Sequence, residues 1–217
     1  MIMKKLLLTM LTMFPLMIQG SAQTAKSDLR NNIIVGIKGG ANYSWVYDRY
    51  GFNAEGRSGI VAGYFFSLPI TTNFGIQPEL LFAQKNFRAT GRLIGDSYDF
   101  TRIVSYIEAP VMFAFKPHKM FTILAGPQYS FLIQQVDNFP NGNNNIQQQK
   151  MLDNAKVRKQ VLGFVAGTDV TINQCVIGLR VGLDIQNNSV EKSVTIPLYK
   201  NAWLQGTAGF RFPWIKK

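Results

Sequence analysis

The segment CVIGLRVGLDI, residues 175–185, alternates in character from one position to the next. Cys175, Ile177, Leu179, Val181, Leu183 and Ile185 fall in one row, and Gly178, Arg180, Gly182 and Asp184 fall in the other. A period of two marks a strand, because successive side chains point to opposite faces; a helix would scatter these residues around its axis. The bulky apolar side chains share one face, while glycine and charges of both signs share the other. A soluble β-structure turns its apolar row inward and its charges to water. A narrow eight-stranded barrel has an interior that side chains can fill, so glycine and a few long polar residues suit the inside and the apolar row is free to meet lipid.

The same alternation recurs in seven other segments. Ile33 to Trp45 carries Ile33, Val35, Ile37, Gly39, Ala41, Tyr43 and Trp45 in one row, opposite Lys38, Asn42 and Ser44. Further apolar rows run through Ile60–Leu68, Phe74–Phe82, Ile107–Phe113, Phe121–Phe131, Leu162–Val170 and Leu204–Phe212. Eight strands are expected. Pro78, Pro110 and Pro127 sit within three of them, and since proline cannot donate to the ladder, bulges or strand ends are expected there.

The connections alternate in length. Short turns are expected at Ile70–Asn73, Lys116–Lys119 and around Thr171–Gln174, and long loops at Val46–Arg57, Arg88–Ser97, Asp137–Lys156 and Asn187–Lys200. Short turns at one end and long loops at the other are the asymmetry of an outer-membrane barrel, with both chain ends on the periplasmic side. A soluble sandwich or lipocalin-like barrel is the rival that alternation alone leaves open.

The amino-terminal residues weigh against that rival. Lys4 and Lys5 precede an apolar stretch from Leu6 to Ile18, and Gly20-Ser21-Ala22 offers small residues for cleavage before Gln23. This is the pattern of a secretory signal peptide over 1–22, and the stretch is short for a membrane helix. A short periplasmic segment over 23–32 and a barrel domain over 33–217 follow. No later apolar run is long enough for a spanning helix. The 19 glycines and 16 phenylalanines suit a β-structure with close backbone approaches and aromatic belts. Tyr43, Trp45, Tyr47 and Tyr50 are expected at the outer interface, and Phe74, Phe115, Phe121, Phe212 and Trp214 at the inner one.

The net charge is +11, but the lysines and arginines are scattered and form no nucleic-acid motif. An exported basic chain more naturally faces anionic lipid, lipopolysaccharide or surface polysaccharide. The single Cys175 excludes an internal disulfide and a cysteine-based metal cluster.

Three segments carry a family resemblance. YIEAPVMFAF (Tyr106–Phe115), VGIKGGANYSW (Val35–Trp45) and FTILAGPQYSFLI (Phe121–Ile133) resemble a middle strand, the first strand and the fifth strand of the PorT-type outer-membrane β-barrels of Bacteroidetes. The resemblance covers the mature chain apart from its loops. It implies an all-β, eight-stranded antiparallel transmembrane up-and-down barrel, and it admits a role as subunit or assembly factor of a PorT-like (type IX) secretion system. Such barrels commonly close on an aromatic residue; here Phe212 or Trp214 is placed to serve.

No catalytic, cofactor-binding or metal site is expected, and no cofactor. His118 is the one histidine and falls in a short turn, the sole candidate base for a lipid-modifying enzyme. The lipase elbow, zinc, calcium-loop and phosphate-loop patterns are absent. The inward rows instead hold Lys38, Lys85, Arg180 and Arg211 against Glu79, Glu108, Asp169 and Asp184, four charges of each sign. Because charges removed from bulk water must be paired, a structural salt-bridge network is expected inside the barrel. The long polar Asp137–Lys156 loop is a candidate for binding partners.

Overall fold

The computed structural model describes residues 29–47, 54–93, 96–138, 158–188 and 199–213. Within them the chain forms a closed barrel of eight strands in which each strand pairs with its sequence neighbours and β1 closes on β8. The strands are β1 (Ile34–Tyr47), β2 (Ala54–Pro69), β3 (Phe74–Leu93), β4 (Asp96–His118), β5 (Phe121–Asn138), β6 (Gln160–Ile172), β7 (Cys175–Asp184) and β8 (Lys200–Pro213), with a short 3-10 turn at Leu29–Asn31 ahead of β1. All eight pairings are antiparallel. Closure removes the open edges that a sheet would otherwise present. The signal over 1–22, Tyr50, Trp214 and all of the expected Asp137–Lys156 loop beyond Asn138 lie outside the described residues.

The alternating rows take the faces expected of them. β7 is the plainest case: its even residues are buried and its odd residues exposed along the whole strand. Ile60 is 57% exposed, Leu179 54% and Val111 50%, and the same outward rows continue around the barrel. A continuous apolar band of this kind is foreign to a water-facing surface. Rings gather at its borders. Phe74 stacks on Phe115 at 5.2 Å and Phe210 lies 5.0 Å from Phe212 at the turn end, while Tyr43 and Trp45 are 6.1 Å apart at the loop end.

The turns between β2 and β3, β4 and β5, and β6 and β7 all fall at one end. The last is two residues long, with Asn173 at φ 54°, a left-handed conformation that asparagine tolerates better than most residues. Two expectations are corrected here. Lys116 belongs to β4 rather than to the turn, and its side chain is buried. The expected loop over Arg88–Ser97 is instead hairpin, since β3 runs on to Leu93 and β4 begins at Asp96.

The second correction has a physical basis. A tilted strand needs only about 9–11 residues to cross the hydrocarbon core. β3, β4 and β5 have 20, 23 and 18 residues, whereas β6 and β7 have 13 and 10. The β3–β5 wall therefore rises past the lipid at the loop end. There the outward row changes from Leu80 and Phe82 to Gln84 and Arg88. Outside the bilayer the apolar row is no longer required, so its disappearance does not signal a loop.

The prolines also behave differently from expectation. Pro78 pairs with Val111 and Pro110 with Gln128 inside unshifted registers, and the register shifts fall elsewhere, at Arg57/Val61, Ser105/Tyr106 and Phe115/His118. Each proline forfeits one ladder bond to one neighbour, and the flanking bonds hold the register.

The interior is not filled by glycine and polar groups alone. Phe65, Tyr106, Met112, Leu124 and Trp203 are buried inside it. Glycine makes room for the rings. Gly36 pairs with Phe65 and Gly182 with Trp203, and a Cβ at either glycine would collide with the ring of its partner. An aromatic ring on one strand thus covers the bare backbone of the next.

Candidate functional site

The inward-facing charges gather in two tiers. Nearer the turn end, Lys38 on β1 donates to Glu79 on β3. Arg180 on β7 reaches across to Asp169 on β6 at 2.8 Å and to Glu79 at 3.6 Å. Gln77 Nε2 ties the two carboxylates together, donating to Glu79 Oε1 at 3.0 Å and to Asp169 Oδ2 at 3.1 Å. These contacts join β1, β3, β6 and β7 across the lumen, so they close the section as well as neutralise it.

Nearer the loop end, Lys85 on β3 lies 2.9 Å from Glu108 on β4 and 3.6 Å from Asp184 on β7. Its ammonium also sits 3.5 Å from the centre of the Trp203 ring and 5.3 Å from that of Tyr106. A desolvated cation over an aromatic face is stabilised by about 2 kcal/mol. Ser130 donates to Glu108 at 3.3 Å, and Asp184 accepts from Asn188 Nδ2 at 2.6 Å and from the Asn201 backbone at 3.1 Å.

Seven of the eight expected charges therefore meet in the two tiers. Arg211 does not. Its side chain lies at the turn end, where Nε donates to the Asn173 carbonyl at 2.9 Å. The tiers hold three cations, Lys38, Lys85 and Arg180, against four carboxylates, and neutral donors at Asn188 and Asn201 help to hold the fourth, Asp184.

A further pair escaped the sequence reading. Arg102 on β4 grips Asp137 on β5 with two parallel bonds, Nε to Oδ1 and Nη2 to Oδ2, both 2.7 Å. Both side chains are almost completely buried. The pair sits in the projecting wall, with Phe87 and Tyr199 packed edge to face at 5.4 Å nearby. Burial pushes the Tyr199 phenol above its ordinary range. The signal for Arg102 and Asp137 was their placement on adjacent inward positions, visible only once β4 and β5 are extended this far.

His118 ends β4 in an exposed turn, and its Nδ1 accepts from the Met120 backbone N–H at 3.3 Å. Among the described residues no group of three or more metal-binding side chains converges. Cys175 is exposed in the outward row.

Residues 19–189 match the family described as outer membrane protein beta-barrel domain. Among solved structures, the chain is similar to the attachment invasion locus protein Ail of Yersinia pestis, solved with the heparin analogue sucrose octasulfate. That match has 13% identity and a TM-score of 0.47, covering 83% of this chain and 99% of that one. It is also similar to the outer membrane protein OprG of Pseudomonas aeruginosa, with 14% identity and a TM-score of 0.47 over 85% of this chain and 97% of that one. Neisserial surface protein A gives 10% identity and a TM-score of 0.49 over 83% and 97%. No curated protein matches the sequence. With its eight-stranded barrel, outward apolar band and a family match over most of its length, the chain belongs to the outer membrane protein beta-barrel domain family and is a transmembrane protein of the outer membrane.

Proposed function

We propose that the chain is a closed, non-enzymatic outer-membrane barrel that acts through its projecting loop end or through protein partners, not as a pore. One observation carries this reading: the two charge tiers and the Trp203–Lys85–Tyr106 stack tie opposite walls together across the lumen. A path for ions would have to break contacts that are buried and mutually paired. The lumen charges are a structural plug, and the rising β3–β5 wall presents the surface for partners. Reconstitution into planar bilayers tests this directly. The purified barrel should add no discrete conductance steps; regular ion-conducting steps would overturn the reading.

In this reading His118 is a turn residue, and envelope lipids should be unchanged by His118→Ala. The export route is a cleaved signal, with the mature chain starting near Gln23, which mass spectrometry of the outer-membrane form would establish. The turn end faces the periplasm, and lipopolysaccharide and phospholipid surround the apolar band.

A more specific role, as a PorT-like secretion component, rests on the motif resemblance. Its Tyr106–Phe115 and Phe121–Ile133 segments occupy neighbouring strands β4 and β5, and Glu108 of the first anchors the upper tier. Crosslinking in the native envelope should then recover a reproducible secretion partner; its absence would leave only the general reading.

A further inference from the structure

We propose that Asp184 is a positioning residue that latches the feet of two loop-end connections, β5–β6 and β7–β8, into one unit keyed to the lumen. Its carboxylate stands where β7 ends. Oδ1 lies 3.6 Å from the Lys85 ammonium of the upper tier. Oδ2 accepts from Asn188 Nδ2 at 2.6 Å and from the Asn201 backbone at 3.1 Å. The Asp184 carbonyl accepts from the Tyr47 hydroxyl of β1 at 3.3 Å. Asp184 is 1% exposed and Asn188 is fully buried, so these bonds are made away from bulk water.

The backbone explains why a carboxylate serves there. The β7–β8 ladder stops at Leu183 and Ala202, and the chain bends at Ile185 and Gln186. On the β6 side backbone bonding runs on, since the Ile185 and Gln186 N–H groups both donate to the Leu162 carbonyl. On the β8 side the Asp184 side chain takes over the Asn201 N–H, one residue past the ladder's end. The bend returns Asn188, four residues on, to the same carboxylate. The Asn188 backbone then serves both feet. Its N–H donates to the Tyr199 carbonyl at 2.8 Å, just before β8, and its carbonyl accepts from the Arg158 N–H at 2.6 Å, just before β6. Arg158 Nε adds a bond to the Asn187 carbonyl at 3.0 Å.

A hydrogen bond to a carboxylate is about twice as strong as one between neutral groups, and a buried carboxylate that loses a donor bears its desolvation cost. Loop feet are otherwise among the first parts of a fold to open. Asn188 cannot leave Asp184 without drawing its backbone away from Arg158 and Tyr199. The approaches to β6 and β8 therefore open together, and a partner that engages the loop end meets two connections in a fixed relation. That consequence for partners rests on the proposed role of the loop end; the latch itself does not.

The test follows amide hydrogen exchange by NMR in the full chain reconstituted in lipid nanodiscs. Asn188→Ala removes the side-chain bond while leaving Asp184 and Lys85 in place, and the heat-modifiable gel shift reports that the barrel folds. The Arg158 amide bonds to the Asn188 carbonyl and not to its side chain. It should nevertheless lose about tenfold in protection, the loss of one charge-assisted bond. Asn188→Asp sets a second carboxylate against Asp184 and should lower the protection further. Adding Asp184→Asn to Asn188→Asp restores a carboxylate–amide pair and should return part of it, which a merely space-filling role for Asn188 would not. Val165 and Leu179, within β6 and β7, should keep their protection throughout. An Arg158 amide unchanged in Asn188→Ala would overturn the proposal. So would equal loss at Val165 and Leu179, or a double variant no better protected than Asn188→Asp.

Discussion

The indole of Trp203 occupies the space that a side chain at Gly182 would need, and the two residues are register partners on β8 and β7. Trp203 is fully buried and its ring also covers the Lys85 ammonium. One glycine therefore sets the position of the largest side chain in the lumen, and that side chain sets the position of a charge.

Gly182→Ala should consequently destabilise the barrel by about 1–3 kcal/mol, the usual cost of overpacking a filled core. Gly206 is a suitable control, because a Cβ there meets nothing within 4 Å. Gly206→Ala should stay within about 0.5 kcal/mol of the parent. Urea unfolding of the two variants in lipid vesicles measures the difference. Equal midpoints would show that the ring does not depend on the glycine.

Lys85 is the shared partner of two carboxylates, Glu108 and Asp184. Removing it leaves both without their cation in a closed interior, and Lys85→Met should cost about 3–5 kcal/mol. Adding Glu108→Gln should recover part of that loss, because it removes one of the stranded charges. A double-mutant cycle on urea midpoints would reveal the coupling. Strictly additive effects would mean that the pair is not a unit.

Arg102 and Asp137 hold the β4–β5 wall where it stands clear of the lipid. Asp137→Asn should loosen this upper region and leave the rest of the barrel in place. Hydrogen exchange should quicken at Val104 and Gln135, which are register partners there, while Ala114 and Leu124 near the turn end keep their protection. Uniform quickening of all four amides would contradict a local role.

Much of the barrel was legible because lipid imposes one rule on every spanning strand: apolar outside, every second residue. Alternation set Leu179 and Val181 on one shared face, and the signal-like amino terminus with the alternating loop lengths made that face the outer one. The rule lapses at the ends. Arg88 lies where the wall has left the bilayer, so its polarity resembled that of a loop. Lys116 preceded Pro117 and His118 and looked like part of a turn, yet its stem and ammonium point into the barrel mouth.

The interior was legible in chemistry and less so in partnership. The charged rows identified Lys85 and Asp184 as inward, but which cation meets which carboxylate depends on stagger around the barrel, and no local pattern records that. Trp203 was missed because it precedes the apolar row that begins at Leu204, and its fit to Gly182 is a relation between two strands. Arg211 keeps the inward parity of Gln205 and Thr207 but sits too near the turn to reach the tiers.

The central claim is that the bulky rows face lipid and the charged rows face the lumen. A nitroxide placed singly at residues 176–184 of β7, in a Cys175→Ser background reconstituted in lipid, tests it most directly. Collision with lipid-soluble oxygen should peak at Ile177, Leu179, Val181 and Leu183 and fall at the even positions between them. A profile in which those four odd positions instead collide with a water-soluble nickel complex, or one with no period of two, would contradict the account.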